Sequence, residues 1–361
     1  MILLLPMNIK TPPDALIAHI GENFGLIKPV IQPLGDGLIH QTYKASDTTN
    51  CFVLQRINTL VFPKPEALLR NYILMHDYLH KEKDFEIPEP IKTNNNTWLI
   101  VDSNKQVWRA TRFVENSYSK NAVINTEEAY TTAYSFGHFT KLLSVMDVAA
   151  IEPVLPGFHN LSLRYKQLHQ AIAKGDPLRI EQSNSLINDI EERKHLVKLY
   201  ESLSNDALCP QRLMHHDCKI NNLLFDQLTE EVICPIDLDT VMPGNYFSDL
   251  GDMIRTIGCT ENEESVSWNS LDINIAFYWS IIEGYCEGIE NNLTQYEKEH
   301  LHASGLLMIY MQCIRFLADY LCGDVYYHTT HKEQNFNRAT NQMVFLKKLE
   351  NFLTTEGWQR L

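Results

Sequence analysis

The residues whose types and spacing could do chemistry stand together at His215-His216-Asp217-Cys218-Lys219-Ile220-Asn221-Asn222, followed after an apolar hairpin by Ile236-Asp237-Leu238-Asp239. Phosphoryl transfer needs a group that orients the attacking hydroxyl and accepts its proton, and it needs oxygen ligands for Mg2+ bridging the phosphates. In a kinase catalytic loop an Asp takes the first role and an Asn five residues on supplies a metal ligand. Asp217 and Asn222 have that spacing. Asp237, leaving an apolar strand 20 residues after Asp217, is placed to bring the second ligand. Singly, each of these residues is also a common turn-former or N-cap. The combination of H-x-D-x-x-x-x-N, a hairpin and I-D-x-D in apolar surroundings is what argues for catalysis. The two histidines suggest zinc, yet no further Cys or His stands at ligand spacing, and His215 is expected to brace the loop by hydrogen bonds.

The elements that must hold this loop can be read from periodicity. Val30 to Leu34, Thr42 to Ala45 and Cys51 to Ile57 read as strands, with Gly35-Asp36-Gly37 and Asp47-Thr48-Thr49-Asn50 as turns between them. A helix follows from Pro65 to about His80, with Leu68, Tyr72, Met75 and Leu79 at helical spacing. A meander through Ile91, Trp98 to Val101 and Val107 to Phe113 completes a small sheet. Beyond Glu115 helical periodicity takes over. Asn125 and Glu128 form a capping pair ahead of the stripe Ala129, Ala133, Phe136 and Leu143. Further helices are marked by Leu186, Ile190, Val197 and Tyr200, by Leu306 to Leu321, and by Met343, Leu346 and Leu349. One hairpin interrupts them, Leu223 to Phe225 and Val232 to Ile236. The fold class expected is α+β: a bilobal protein-kinase-like arrangement of a β-rich N-lobe (1–113) that binds nucleotide, and a mainly helical C-lobe (114–361) with the catalytic loop and substrate site.

Composition narrows the partners. A formal charge of −14 over 361 residues opposes nucleic acid or an anionic membrane, whose binding draws on clustered Lys and Arg. The five-residue apolar run before Pro6 is too short for a signal core or a membrane span, so a cytoplasmic protein is expected. Eight cysteines without a C-x-x-C pair, mostly in apolar stretches, read as reduced core residues. The oligomeric state is not legible.

With these residues in view, the chain resembles the aminoglycoside phosphotransferase and choline kinase superfamily over most of its length. It is more closely similar to the N-acetylhexosamine 1-kinases in the strings Gly35 to Tyr43, Phe52 to Asn58, His216 to Asn222, Ile236 to Gly244 and Arg315 to Leu321. The resemblance implies ATP and Mg2+ as cofactors and phosphorylation of the anomeric hydroxyl of GlcNAc or GalNAc. It places Asp217 as the base, Asn222 and Asp237 on the metal, and Asp249 as a brace of the catalytic loop. His40, Arg315 and Tyr326 would touch the sugar. Phe113-Val114-Glu115 would form the hinge that pairs with adenine, and Gly35 and Gly37 would cover the phosphates, although a two-Gly hairpin turn explains them equally. The Lys–Glu pair of most kinases is absent or altered. The third strand offers Gln55 and Arg56 instead, with Arg56 the candidate for the phosphates, and the helix offers Asn71. Arg315 also has Asp319 at i,i+4 as an intrahelical partner. An aminoglycoside, choline or other sugar kinase, and a catalytically inactive binding protein of the same fold, are the alternatives left open.

Overall fold

The computed structural model describes residues 13–35, 39–83 and 85–358. It opens with α1 (Asp14–Asn23), a helix that the periodicity reading did not include, entered from Pro13. The sheet part then runs β1 (Val30–Pro33), β2 (Gln41–Ser46), β3 (Cys51–Ile57), α2 (Pro65–Lys83), β4 (Ile100–Val101) and β5 (Val107–Arg112). The strands form one antiparallel sheet in the order β1-β2-β3-β5-β4. Ile17, Ile20 and Phe24 of the first helical segment pack on Tyr43, Ala45, Phe52, Leu54, Trp108 and Ala110, so α1 covers one sheet face. Strand alternation then assigns sides. Phe52, Leu54 and Arg56 share the covered face, while Gln55 faces the other way.

The remainder runs β6 (Ser117–Tyr118), α3 (Thr126–Leu143), α4 (Leu161–Lys174), α5 (Pro177–Gln182), α6 (Asn184–Glu192) and α7 (His195–Ser204). It continues with β7 (Arg212–Met214), β8 (Leu223–Asp226), β9 (Val232–Pro235), β10 (Met242–Gly244), α8 (Phe247–Ile257), α9 (Ile275–Ile289), α10 (Gln295–Glu299), α11 (Ala303–Leu321) and α12 (Gln334–Thr355). The Asn125 side chain accepts the Glu128 N–H at 2.8 Å, the cap expected for α3. The single helix expected around residues 186–200 is two. The chain turns at Arg193-Lys194, where the Arg193 guanidinium bonds the Asp189 carbonyl and Glu350 of α12, and α7 sets off anew with Leu196, Val197 and Leu203 buried. All eight cysteines are unpaired. Among the described residues no helix is long and apolar enough to cross a membrane.

The helical core centres on α11, whose residues are buried almost throughout, with α8, α4 and α12 packed around it. Close approach of α8 depends on Gly251. A Cβ there would lie 2.3 Å from the Ser304 carbonyl oxygen and 2.4 Å from Met308 Cγ. Gly251→Ala should therefore destabilise by about 1–3 kcal/mol, because backbone cannot yield as a side chain does and overpacking exceeds the helix-propensity gain. The midpoint of urea unfolding would report it. An unchanged or raised midpoint would mean that the α8–α11 contact has room for a methyl group.

Candidate active site

The loop between β7 and β8 is held from three sides. The Asp249 carboxylate on α8 accepts the N–H groups of His215 and His216 at 2.8 and 2.7 Å, and Asp252 accepts that of Cys218 at 2.9 Å. Burial pushes the Asp249 carboxyl up to about 6, although those N–H groups pull the other way. His215 is fully buried against the Phe136 ring. Its Nε2 donates to the Ile236 carbonyl at 3.0 Å, which ties this loop to the strand end that carries Asp237. The Thr240 hydroxyl adds a second tie, donating to the His215 carbonyl at 2.6 Å. His216 takes a left-handed backbone conformation (φ 66°), and its ring bonds Ser248. Gly244 makes room for that ring, since a Cβ there would sit 2.5 Å from His216 Cε1. Burial lowers the His216 imidazole to about 3, so it stays neutral.

Asp217, Asn222 and Asp237 come together at the mouth of this loop. The Asn222 amide nitrogen donates to the Asp217 carbonyl and carboxylate at 2.9 and 3.0 Å, which orients the amide and leaves Oδ1 as the atom to coordinate a metal. Lys219 Nζ lies 2.9 Å from the other Asp217 oxygen. Burial works to raise the Asp217 carboxyl, but Lys219, His215 and Asn222 together outweigh it and hold it below the usual carboxylate range. It is thus a carboxylate at neutral pH. The Asp237 side chain is exposed to the solvent of the cleft. The crowding cleft walls, with repulsion from Asp239 and Asp217, nevertheless push its carboxyl up to about 6. A carboxylate set among carboxylates is a fitting seat for a divalent cation. Among the described residues no group of three or more His, Cys, Asp and Glu gathers as metal ligands, so a bound Mg2+ would draw its remaining ligands from phosphates and water.

By strand pairing two cations face the cleft from the sheet, Lys44 of β2, with Nζ 3.8 Å from the centre of the Phe113 ring, and Arg109 of β5, which the sequence reading missed. Arg109 stands directly opposite Gln55 on β3 and pairs with Asp239 of the C-terminal part. Arg56 differs from its expected place. It is buried on the α1 side near Tyr43 and Asp102, on the face away from Gln55 and Arg109. Alternation along Phe52, Leu54 and Arg56 was the signal that could have told the two apart. Among the described residues Asn71 bonds no cation; its side chain clasps the backbone of Glu152, donating to the carbonyl at 2.7 Å and accepting the N–H at 3.1 Å. His40 reaches the same centre, with Nε2 2.7 Å from Asp239 and Nδ1 accepting the Asn58 N–H at 3.1 Å. Both ring nitrogens are therefore engaged within the protein.

On the helical side Arg315 and Tyr326 are neighbours, at 3.4 Å between the guanidinium and the phenol oxygen. The intrahelical Arg315–Asp319 pair does not form. Asp319 instead accepts the N–H groups of Val325, Tyr326 and Tyr327 and the amide of Asn335, folding the loop after α11 back toward Arg315. Arg315 donates to Gln312 at 3.1 Å and lies over the rings of Phe158, Tyr326 and Tyr327. Arg164 of α4, also missed, donates to the Phe158 carbonyl and to Gln167. Burial and the Arg315 charge lower the Arg164 guanidinium to about 10. Among the described residues neither Arg has a carboxylate partner. Nothing in the helical pattern of α4 marks Arg164 beforehand.

At the junction of the two parts, the Phe113 N–H is taken by the Cys51 carbonyl and the Val114 carbonyl by the Ser117 hydroxyl, while Glu115 is exposed. Gly35 has φ 69° at the end of β1, a conformation that favours Gly. Gly37 lies outside the described residues.

An N-terminal antiparallel sheet followed by a mainly helical part is the architecture of a kinase of the protein-kinase-like fold. Residues 30–273, more than half of the chain, match the profile of the phosphotransferase enzyme family, and the chain belongs to that family. Its structure is similar to a microcompartment-associated aminopropanol kinase (TM-score 0.66, 16% identity, covering 96% of this chain and 99% of that one). It is also similar to spectinomycin phosphotransferase in complex with ADP and spectinomycin (TM-score 0.61, 14% identity, 96% and 99%). The choline kinase of Streptococcus pneumoniae gives a TM-score of 0.56 at 12% identity, covering 94% and 99%. At such identities these likenesses speak for the fold alone.

Proposed function

We propose that this kinase transfers the γ-phosphoryl group of ATP, with Mg2+, to the anomeric C1 hydroxyl of an N-acetylhexosamine. Residues 1–113 would form the nucleotide lobe and 114–361 the lobe that holds the catalytic loop and the sugar. The Asp217 carboxylate orients the C1 hydroxyl and receives its proton as the new O–P bond forms and the bond to the β-phosphate oxygen breaks, leaving ADP. Lys219 supplies positive charge beside the group in transfer. Asn222 and Asp237 would hold Mg2+, which would supply charge neutralisation at the phosphates. The backbone of Phe113 to Glu115 takes the adenine edge.

The observation that carries the choice of substrate is the pair of guanidinium groups at Arg315 and Arg164, set in an aromatic frame with no carboxylate partner among the described residues. A cationic acceptor such as choline or an aminoglycoside would meet like charge there, and such juxtaposition costs affinity. An acetamido carbonyl and ring hydroxyls offer acceptors that a planar guanidinium fork binds well. His40, with both nitrogens engaged, is better suited to shaping the site than to donating to the sugar. An ADP-release screen over GlcNAc, GalNAc, glucose, galactose, choline and kanamycin tests the reading. Turnover of choline or kanamycin alone would sink it, and no turnover with any acceptor, together with retained nucleotide binding, would favour an inactive binding protein.

Arg315→Lys keeps the charge but loses the fork. The kcat/KM for the hexosamine should fall about tenfold to a hundredfold, the equivalent of one or two polar contacts, with KM for ATP nearly constant. Kinetics in both substrates and 31P NMR of the product check this. A shift in the ATP term alone, or phosphate on a hydroxyl other than C1, would remove the hexosamine assignment.

A further inference from the structure

Asp239 belongs by sequence to the turn after β9, yet its carboxylate is held entirely from the sheet part. Arg109 Nη1 donates to one oxygen and Nη2 to the other, each at 2.6 Å, and His40 Nε2 donates to the second at 2.7 Å. Because His40 Nδ1 accepts the Asn58 N–H, its proton sits on Nε2, the nitrogen facing Asp239. The same guanidinium is fixed from behind by the Gln55 carbonyl oxygen, which receives Nε at 2.9 Å and Nη2 at 2.7 Å, and its carbon lies 5.9 Å from the Tyr72 ring of α2. The Arg109 and Asp239 side chains are 4% and 3% exposed, so the pair is desolvated and geometrically specific. A salt bridge of this kind says little about net stability, but removing one partner leaves a buried charge alone.

Two residues upstream is Asp237. Its backbone is left-handed (φ 57°, ψ 50°), which for a residue with a Cβ persists only where the surroundings over-determine it. Among the described residues nothing hydrogen-bonds its carboxylate, so its direction is set by the chain on either side. On the upstream side Ile236 is pinned, its N–H to the Asn222 carbonyl at 2.9 Å and its own carbonyl by His215. On the downstream side the tether is Asp239.

We propose that Arg109 is a positioning residue for phosphoryl transfer. By clamping Asp239 across the cleft, it fixes where the Asp237 carboxylate meets the metal–nucleotide complex. In most kinases a strand Lys and a helix Glu pair within one lobe. Here Asn71 bonds backbone, and Arg109, facing the cleft from β5, pairs instead with a carboxylate of the other part. Seating the sheet on the helical part and aiming the metal ligand thus become one event. This inference rests on the reading of Asn222 and Asp237 as a Mg2+ site.

The test uses the full chain and ADP as probe, titrated calorimetrically with and without MgCl2, for wild type, Arg109→Gln, Arg109→Lys, Asp239→Asn and the double variant R109Q/D239N. Arg109→Gln should weaken Mg2+-dependent ADP binding about tenfold to a hundredfold, with metal-free ADP binding changed less than about threefold, the scale of a lost charge-assisted pair. Asp239→Asn should act likewise. The double variant should bind no worse than either single variant, because the two losses are one interaction. Arg109→Lys should recover only part. A purely structural role predicts a lower melting temperature with equal effects on ADP in the presence and absence of Mg2+, and that result would overturn the clamp. If Arg109→Gln does not fold, the Lys and double variants decide: Mg2+-dependent binding equal to wild type in both would overturn it. Wild-type ADP binding that ignores Mg2+ would overturn the metal-site reading and the clamp with it, a result distinct from the others.

Discussion

Asp217→Asn should give a folded protein that binds ADP normally and turns over about 10²–10⁴ times more slowly, the range lost with a general base. The side chains are nearly isosteric, and an Asn at 217 keeps an acceptor oxygen for the amide of Asn222, which in wild type lies 3.0 Å from Asp217 Oδ2. What it lacks is the negative charge that Lys219, at 2.9 Å, helps to maintain at neutral pH. Single-turnover rates, with melting temperature and ADP affinity as controls, isolate the chemical step. Activity within a few-fold of wild type would remove Asp217 from the mechanism.

Asp237→Asn should have two opposite effects. Mg2+-dependent turnover should be abolished, since an amide oxygen is a poor substitute for a carboxylate on a hard divalent ion. The ligand-free protein, in contrast, should become more stable. Cleft crowding and the nearby Asp239 and Asp217 raise the Asp237 carboxyl to about 6 in the folded state, above the roughly 3.9 of an unfolded chain. A raised carboxyl pKa means that the folded state resists ionisation. The penalty is fully present above pH 6, shrinks as pH falls toward 4, and is absent below. The full shift corresponds to about 3 kcal/mol, and screening by cleft water reduces it to about 1 kcal/mol. The variant should therefore melt a few degrees higher than wild type at pH 8 and equally at pH 4. Adding MgADP should narrow the gap by stabilising wild type more than the variant. A variant no more stable at pH 8, or equally stabilised at both pH values, would mean that Asp237 is not under electrostatic stress.

The meeting of the three candidate residues was legible in the sequence because it is local. Asp217, Asn222 and Asp237 sit on one loop and one hairpin, so their spacing nearly dictates their meeting, and the cap at Asn125 and the buried stripe of α2 follow from period and side-chain type in the same way. Arg56 was half legible. Its parity with Phe52 and Leu54 places it on the covered face, but a cation in a kinase-like strand invites assignment to phosphate before alternation is consulted. α1 was missed although its apolar Ile17 and Ile20 have helical spacing.

Partnership across the fold was decided by tertiary structure. Arg109 finds Asp239 across 130 residues, His40 finds it across 199, and Asp319, four residues from Arg315, leaves it to gather the backbone of residues 325–327. Sequence names the charges but not which are desolvated together, and a buried carboxylate takes whichever donors the packed elements bring to it. The proximity of Asp217, Asn222 and Asp237 was thus written along the chain, while the cations that surround them, and the absence of a carboxylate beside Arg164 and Arg315 among the described residues, came only from the packing of the sheet and of α4 and α11 around the cleft.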